Sequence, residues 1–314
     1  MKLVFMGSPD FAVPCLEALV AAGHEVALVV TQPDKPAGRG GAMTPPAVKV
    51  AAERLGLPVI QPTKLRPPEV AAGLAATGAE LAVVVAYGRI LPPAILTAFP
   101  RGCVNVHGSL LPAYRGAAPI QWAVIDGNAT TGVTIMQLDE GMDTGPMLAT
   151  RALAIGPDET AGELFARLAP LGAALLVETL AGLAAGTVVA TPQPTAGASH
   201  ARMLTKDDGR IDFARPCAQV AAHVRGVDPW PGAVAYLGAD AAKLFGARAR
   251  PGAVAAAPGT VVAIDDAGAH VACTDGVVVV RELQLPGRKR LTARELANGR
   301  RLAIGDLLRP AAAS

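Results

Sequence analysis

Only four of the 314 residues are cysteine, and Cys15, Cys103, Cys217 and Cys273 lie far apart with no CxxC or CxxH spacing. That excludes a disulfide framework and a cysteine-based zinc site, so no metal is expected and the thiols read as small buried hydrophobes. Charged residues are also few, at 17% against 51% hydrophobic, a balance that excludes an intrinsically disordered chain. No apolar run approaches the roughly 18 residues that cross a bilayer. The opening Met1-Lys2-Leu3-Val4-Phe5 meets Gly7-Ser8-Pro9-Asp10 too soon for a signal peptide. A cytoplasmic protein with no membrane partner is the expectation. Gly7-Ser8-Pro9-Asp10-Phe11 follows the first apolar run without the second and third glycines of a G-x-G-x-x-G turn, which argues against a nicotinamide dinucleotide.

What is present is length and periodicity. A chain of 314 residues is long enough for two cores, since single cores stop growing near roughly 250 residues. Short β-rich runs alternate with helical stretches through the first 110 residues. Strands are predicted at 2–6, 25–31, 59–60, 81–86 and 103–107, and helices at 13–22, 46–55 and 67–76. This is the pattern of an α/β fold, an open, mostly parallel Rossmann-like sheet. In such sheets ligands bind beyond the carboxyl ends of the strands, here after Ala86 and Val106. A strand at 132–138 and a helix at 161–184 follow. The Pro- and Gly-rich stretch 191–199 has linker composition, and beyond it short runs at 259–264, 270–273 and 276–283 suggest a small OB-like β-barrel. The expected domains are 1–189 for the α/β part, 190–208 for the linker and 209–314 for the barrel.

Charge divides along the same line. Residues 1–208 hold 14 Lys/Arg and 17 Asp/Glu, a balance of −3, whereas residues 209–314 hold 14 and 9, a balance of +5. A basic second half suits a polyanionic partner, although such a surface also occurs on proteins that bind nothing charged.

Asn105-Val106-His107-Gly108-Ser109-Leu110-Leu111-Pro112 places an amide and an imidazole at i and i+2 at the end of an apolar strand, so both side chains point the same way. A second polar segment, Asp139-Glu140-Gly141-Met142-Asp143-Thr144-Gly145, directly follows the next strand. Glycines two residues to either side of Asp143 permit the tight backbone that aims a carboxylate inward. Spacing alone leaves two readings open for each segment: a structural histidine and a solvated acidic turn, or one site built from Asn105, His107 and Asp143.

These strings, together with Tyr114-Arg115-Gly116-Ala117-Ala118-Pro119-Ile120, resemble the folate-dependent formyltransferase family. The resemblance extends through Pro33-Asp34-Lys35-Pro36-Ala37-Gly38-Arg39-Gly40, Leu204-Thr205-Lys206-Asp207-Asp208-Gly209-Arg210-Ile211-Asp212 and Arg225-Gly226-Val227-Asp228-Pro229-Trp230-Pro231-Gly232-Ala233. It is greatest for the members that act on charged tRNA. It implies 10-formyltetrahydrofolate as donor and the methionyl amine of initiator tRNA as acceptor, in translation initiation, by an enzyme working as a monomer. It also implies catalytic roles for Asn105, His107 and Asp143, with Asn105 and His107 donating to the oxyanion and Asp143 orienting His107 and helping to relay a proton. Folate contacts fall on Ser109, Leu110, Leu111 and Pro112, and on Arg89, Ile90 and Leu91.

The stretch 33–49 is similar to the loop that in those members reaches the acceptor stem. There Arg39 is expected as the main nucleic-acid contact, assisted by Lys35, because guanidinium suits phosphate and base edges. Two departures weaken this grip: Gly41-Ala42 stands where a basic pair is frequent, and Ala113 where a basic residue is. Affinity for tRNA is therefore expected to lean on the second half, on Arg288, Lys289 and Arg290 with Arg281, Arg300 and Arg301 as a phosphate-binding surface.

Overall fold

Runs such as Leu81-Ala82-Val83-Val84-Val85 have no polar alternation and require burial on both faces, the mark of an inner parallel strand. A computed structural model describes residues 1–37 and 41–310; Arg39 lies outside the described residues. The chain divides into two compact units. The first comprises Met1–Pro119, Thr131–Leu153 and Phe165–Ala201; the second comprises Ile120–Thr130, Ala154–Leu164 and Arg202 onward.

The first unit carries seven strands: β1 (Lys2–Gly7), β2 (Glu25–Val30), β3 (Val59–Ile60), β4 (Leu81–Val85), β5 (Cys103–His107), β6 (Thr130–Gln137) and β7 (Met147–Ala154). They lie in the order β7-β6-β5-β4-β1-β2-β3. β1 pairs in parallel with β2 and β4, β4 with β5 and β2 with β3, while β5 and β6 run antiparallel. After β3 the chain crosses to the other side of β1 to form β4, so the order reverses between β1 and β4. The carboxyl ends at that switch point are where an open α/β sheet takes its ligand. The expected strands and helices of this half are present with ends within one or two residues. β7, in contrast, was not foreseen: its Met, Leu, Ala and Arg residues favour a helix by propensity, and pairing at the sheet edge overrides them.

One sheet face is covered by a core of Val4, Met6, Val30, Leu74, Ala82, Val84, Ile95, Phe99 and Cys103. The helix Ala161–Ala185, expected at 161–184, is long and apolar enough to cross a membrane by length and composition, which corrects the expectation that no apolar run approaches that length. Its apolarity is explained by packing. Leu168, Leu175, Leu176 and Leu180 are buried, and a Cβ on Gly172 would stand 2.9 Å from Val106 Cγ1. The helix lies against the sheet face opposite to Asn105 and His107.

In the second unit, strands β8 (Ala233–Leu237), β9 (Asp240–Pro251), β10 (Val261–Asp265), β11 (Gly268–Ala272), β12 (Gly276–Gln284) and β13 (Leu308–Arg309) follow. They form an antiparallel sheet in the order β10-β11-β12-β9-β8-β13. Its ends meet: the Leu308 amide donates to the Gly259 carbonyl at 2.8 Å and the Val261 amide to that of Asp306 at 2.8 Å. This joins the β13 region to the start of β10 and closes a small barrel, which removes the exposed edges. The helix Cys217–Gly226 buries Val220, Ala221 and Val224 in this unit. Within the stretch 190–208 expected as a linker, residues 191–201 belong to the first unit.

Candidate active site

The carboxyl ends of β1, β4 and β5 are in register: Met6 lies opposite Val84, and Val84 opposite Asn105. Gly7-Ser8, Ala86-Tyr87-Gly88 and His107-Gly108-Ser109 consequently emerge together. Strand alternation turns Val104 and Val106 toward the long helix and Asn105 and His107 toward the other face, where both are buried. Among the described residues no hydrogen bond is made by the Asn105 side-chain amide. Asn105 keeps 9% of its surface open, and its amide is not one of the fully buried polar groups left without a partner.

His107 is fixed from one side. Its Nε2 stands 2.9 Å from the Tyr114 carbonyl oxygen, which only accepts, so Nε2 carries a proton and donates. Nδ1 then faces the Asp143 carboxylate, with Oδ2 3.7 Å away. In the neutral ring Nδ1 holds a lone pair and is a proton acceptor. It becomes a donor only as imidazolium, so the donation to an oxyanion expected of His107 requires Nδ1 to be protonated first. Burial pulls the His107 pKa below its ordinary value, opposed by the Asp143 charge and by the Tyr114 carbonyl. The resting ring is neutral and basic at Nδ1.

Asp143 adopts φ +54°, a left-handed conformation uncommon for a residue other than glycine. Its Oδ2 accepts from the Gly116 amide at 2.8 Å. The loop around it is closed by Asp139, which accepts from the Thr144 hydroxyl at 2.8 and 3.0 Å and from the Gly141 amide at 3.0 Å. At Gly145 a Cβ would fall 1.9 Å from the Gln137 carbonyl oxygen, so that glycine is required by close approach.

The other expected contacts distribute unevenly. Ser109 is buried with its hydroxyl donating to the Ala113 carbonyl at 2.6 Å, and its own carbonyl accepts from Thr134 Oγ1 at 2.7 Å. Leu111 is buried with its amide donating to the same Thr134 hydroxyl. Leu110 packs so closely over Gly132 that a Cβ there would lie 2.6 Å from it, and Pro112 is half-buried. The side chains of this turn thus mostly serve its own shape. In the loop after β4, Arg89 donates to the Thr63 carbonyl at 2.8 Å, Leu91 is buried, and Ile90 is 77% exposed.

Lys35 is exposed on a short hairpin of Lys35–Ala37 with Ala42–Thr44. Lys49, in contrast, is tied to Asp34 at 2.9 Å. In the second unit Arg288, Lys289 and Arg290 are all exposed, but Arg290 pairs with Glu282 and stacks 4.0 Å over the Phe245 ring. Arg290 is therefore committed within the barrel. The Tyr114 carbonyl, the Gly116 amide and the Thr134 hydroxyl escaped the linear reading; the first two are backbone groups with no sequence signature, and Thr134 read only as part of a strand.

A family model described as formyl transferase matches residues 1–180, and one described as the formyl transferase C-terminal domain matches residues 203–301. The methionyl-tRNA formyltransferase of Desulfotalea psychrophila is 48% identical over 309 residues, covering 98% of this chain and 96% of that protein. That of Heliobacterium modesticaldum is 50% identical over 313 residues, covering 97% and 99%. Among solved structures, the N-formyltransferase from Helicobacter canadensis in complex with folinic acid and dTDP-3-aminofucose aligns with a TM-score of 0.65 at 15% identity. That alignment covers 93% of this chain and all 100% of that one, a likeness of fold.

Proposed function

The chain belongs to the formyl transferase family, and from that premise we propose that it transfers the formyl group of 10-formyltetrahydrofolate to the α-amine of methionyl initiator tRNA. The observation that carries this reading is the end-to-end similarity to methionyl-tRNA formyltransferases, which includes the basic C-terminal stretch as well as the residues before it. It is a translation-initiation enzyme of the cytoplasm working as a monomer.

The donor supplies an activated one-carbon carbonyl on a nitrogen leaving group, and the site has the groups such chemistry needs. Asn105 donates its unengaged amide hydrogen to the formyl oxygen as negative charge gathers there. One such donor is worth roughly 10²- to 10³-fold in rate. His107 takes the proton of the attacking amine at Nδ1, and Asp143 stabilises the imidazolium so formed. The protonated Nδ1 then returns the proton toward the departing nitrogen, help worth roughly 10²- to 10⁴-fold. Ile90 offers its exposed side chain to the pterin, with the backbone of 109–112 bounding the same edge. Arg288, Lys289 and Lys35 meet phosphates of the acceptor, and Arg39 reaches it from the 33–49 loop. The functional division is a catalytic part at 1–189, a linker at 190–208 and a tRNA-binding part at 209–314, a division by role that differs from the compact units, where 191–201 go with the first and 120–130 and 154–164 with the second.

The deciding assay follows donor consumption with charged initiator tRNA, charged elongator tRNA and no acceptor, side by side. Turnover is expected with the first and to fall steeply with salt. Release of free tetrahydrofolate without tRNA would instead establish a hydrolase.

A further inference from the structure

Gln193 stands two residues beyond a bridge between Thr191 and Met147, in a stretch whose composition reads only as linker. Its side-chain amide is fully used. Nε2 donates to the carbonyl oxygens of Asp143 and Gly145, each at 2.8 Å. Oε1 accepts from Arg115 Nε at 2.9 Å and Nη2 at 2.7 Å. Two donors and two lone pairs are the whole capacity of a carboxamide.

The placement of these bonds gives them a purpose. The two carbonyls flank Thr144, so one amide pins the backbone at Asp143 itself and again two residues later. Arg115, on the other side of the amide, lies between Tyr114, whose carbonyl holds His107 Nε2, and Gly116, whose amide holds the Asp143 carboxylate. The same stretch ties this turn a second time: Ser199 Oγ accepts from the Tyr114 amide at 2.9 Å, and the Ser199 carbonyl from the Arg115 amide at 2.8 Å. Asp143 holds a left-handed backbone that costs roughly 1 to 2 kcal/mol in a residue with a Cβ, and such a conformation persists only where its surroundings over-determine it. Gln193 supplies that restraint from outside the loop.

We infer that Gln193 is a positioning residue, setting the Asp143 carboxylate against His107 by joining the acidic loop to the Tyr114–Gly116 turn. This rests on the roles proposed for His107 and Asp143.

The test measures kcat, both KM values and thermal melting for the full chain and for Gln193→Ala, Gln193→Glu, Asp143→Asn and the Gln193→Ala/Asp143→Asn pair. Gln193→Ala should lower kcat by roughly 10²-fold, the scale of a misplacement near 1 Å, with both KM values within about twofold. In the Asp143→Asn background the same change should add less than about twofold, because residues that act through one another are not additive. Gln193→Glu keeps the length and the contact to Arg115 but sets a carboxylate against two carbonyls. It should show the same kcat loss in a folded protein, and it decides the matter if the alanine variant does not fold. Wild-type kcat in Gln193→Glu, or losses that multiply in the double variant, would overturn the positioning role while a slow Asp143→Asn leaves the proposed chemistry standing. Wild-type kcat in Asp143→Asn would overturn the chemistry, and the positioning role with it.

Discussion

Gly145→Ala perturbs the acidic loop from its other end. The added Cβ would fall 1.9 Å from the Gln137 carbonyl oxygen, where ordinary contact is 3.4 Å or more, so one partner must give by about 1.5 Å. Gln137 is held in β6 by its register with Val104 of β5, whereas residues 140–142 are exposed. The loop is the side that yields. Asp143, two residues away, then retreats from His107, from 3.7 Å to about 5.2 Å. At an effective dielectric of about 20, attraction to an imidazolium falls from about 4.5 to about 3.2 kcal/mol. The difference of about 1.3 kcal/mol is roughly tenfold in rate, and lost alignment extends the expected fall in kcat toward roughly 10²-fold. Single-turnover formylation at saturating donor and tRNA measures it, with KM values unchanged within about twofold. Gly73→Ala is the matched control: like Gly145 it has no positive φ, but nothing stands within 4 Å of its Cβ. A Gly145→Ala enzyme turning over at the rate of that control would refute the link between loop position and rate.

Asn105→Asp keeps the side-chain shape but removes the amide donor, and kcat should fall by about 10²- to 10³-fold with donor binding, followed by fluorescence titration, retained; an unchanged kcat would exclude Asn105 from the oxyanion contact. Burial holds His107 below the ordinary histidine value while Asp143 pushes the other way. The pH–rate profile should therefore be flat near neutrality and fall on the acid side as Nδ1 becomes protonated. Removing the favouring charge lowers that pKa further, so the acid limb of Asp143→Asn, read on its residual rate, should move to lower pH; a move upward would contradict the arrangement. In the second unit, Arg288→Ala and Lys289→Ala should each raise KM for tRNA and reduce the salt slope by about one. Arg290→Ala should leave that slope unchanged and cost about 1 kcal/mol of stability through loss of the Phe245 and Glu282 contacts, read by denaturant unfolding.

The linear sequence specifies what has a short period. β1, β4 and β5 are written as uninterrupted apolar runs, and the i, i+2 spacing of Asn105 and His107 already places both on one strand face. The alanine-rich regions were harder to read, since alanine suits either face of either element. Thus β9, twelve residues interrupted by Gly246 at positive φ, and the helix Cys217–Gly226 emerge only when their partners are in place. The helix Ala161–Ala185 shows the same ambiguity, a composition fit for lipid that is satisfied by a sheet.

Tertiary structure alone decided which charged and polar side chains are at liberty. Arg288, Lys289 and Arg290 are adjacent in sequence, yet Arg290 is bound to Glu282 and Phe245, residues 8 and 45 positions away. Tyr114 and Gly116 act through backbone atoms that every residue type shares, so no residue identity announces them. Gln193 is 50 residues from Asp143, and only chain closure brings them to hydrogen-bond distance. The sequence by itself determined the strands and the residue types of the site, because apolar period and side-chain chemistry are local. The protonation pattern of His107, the aim of Asp143 and the restraint upon it were set by folding, because each depends on groups that become neighbours only when the chain is packed.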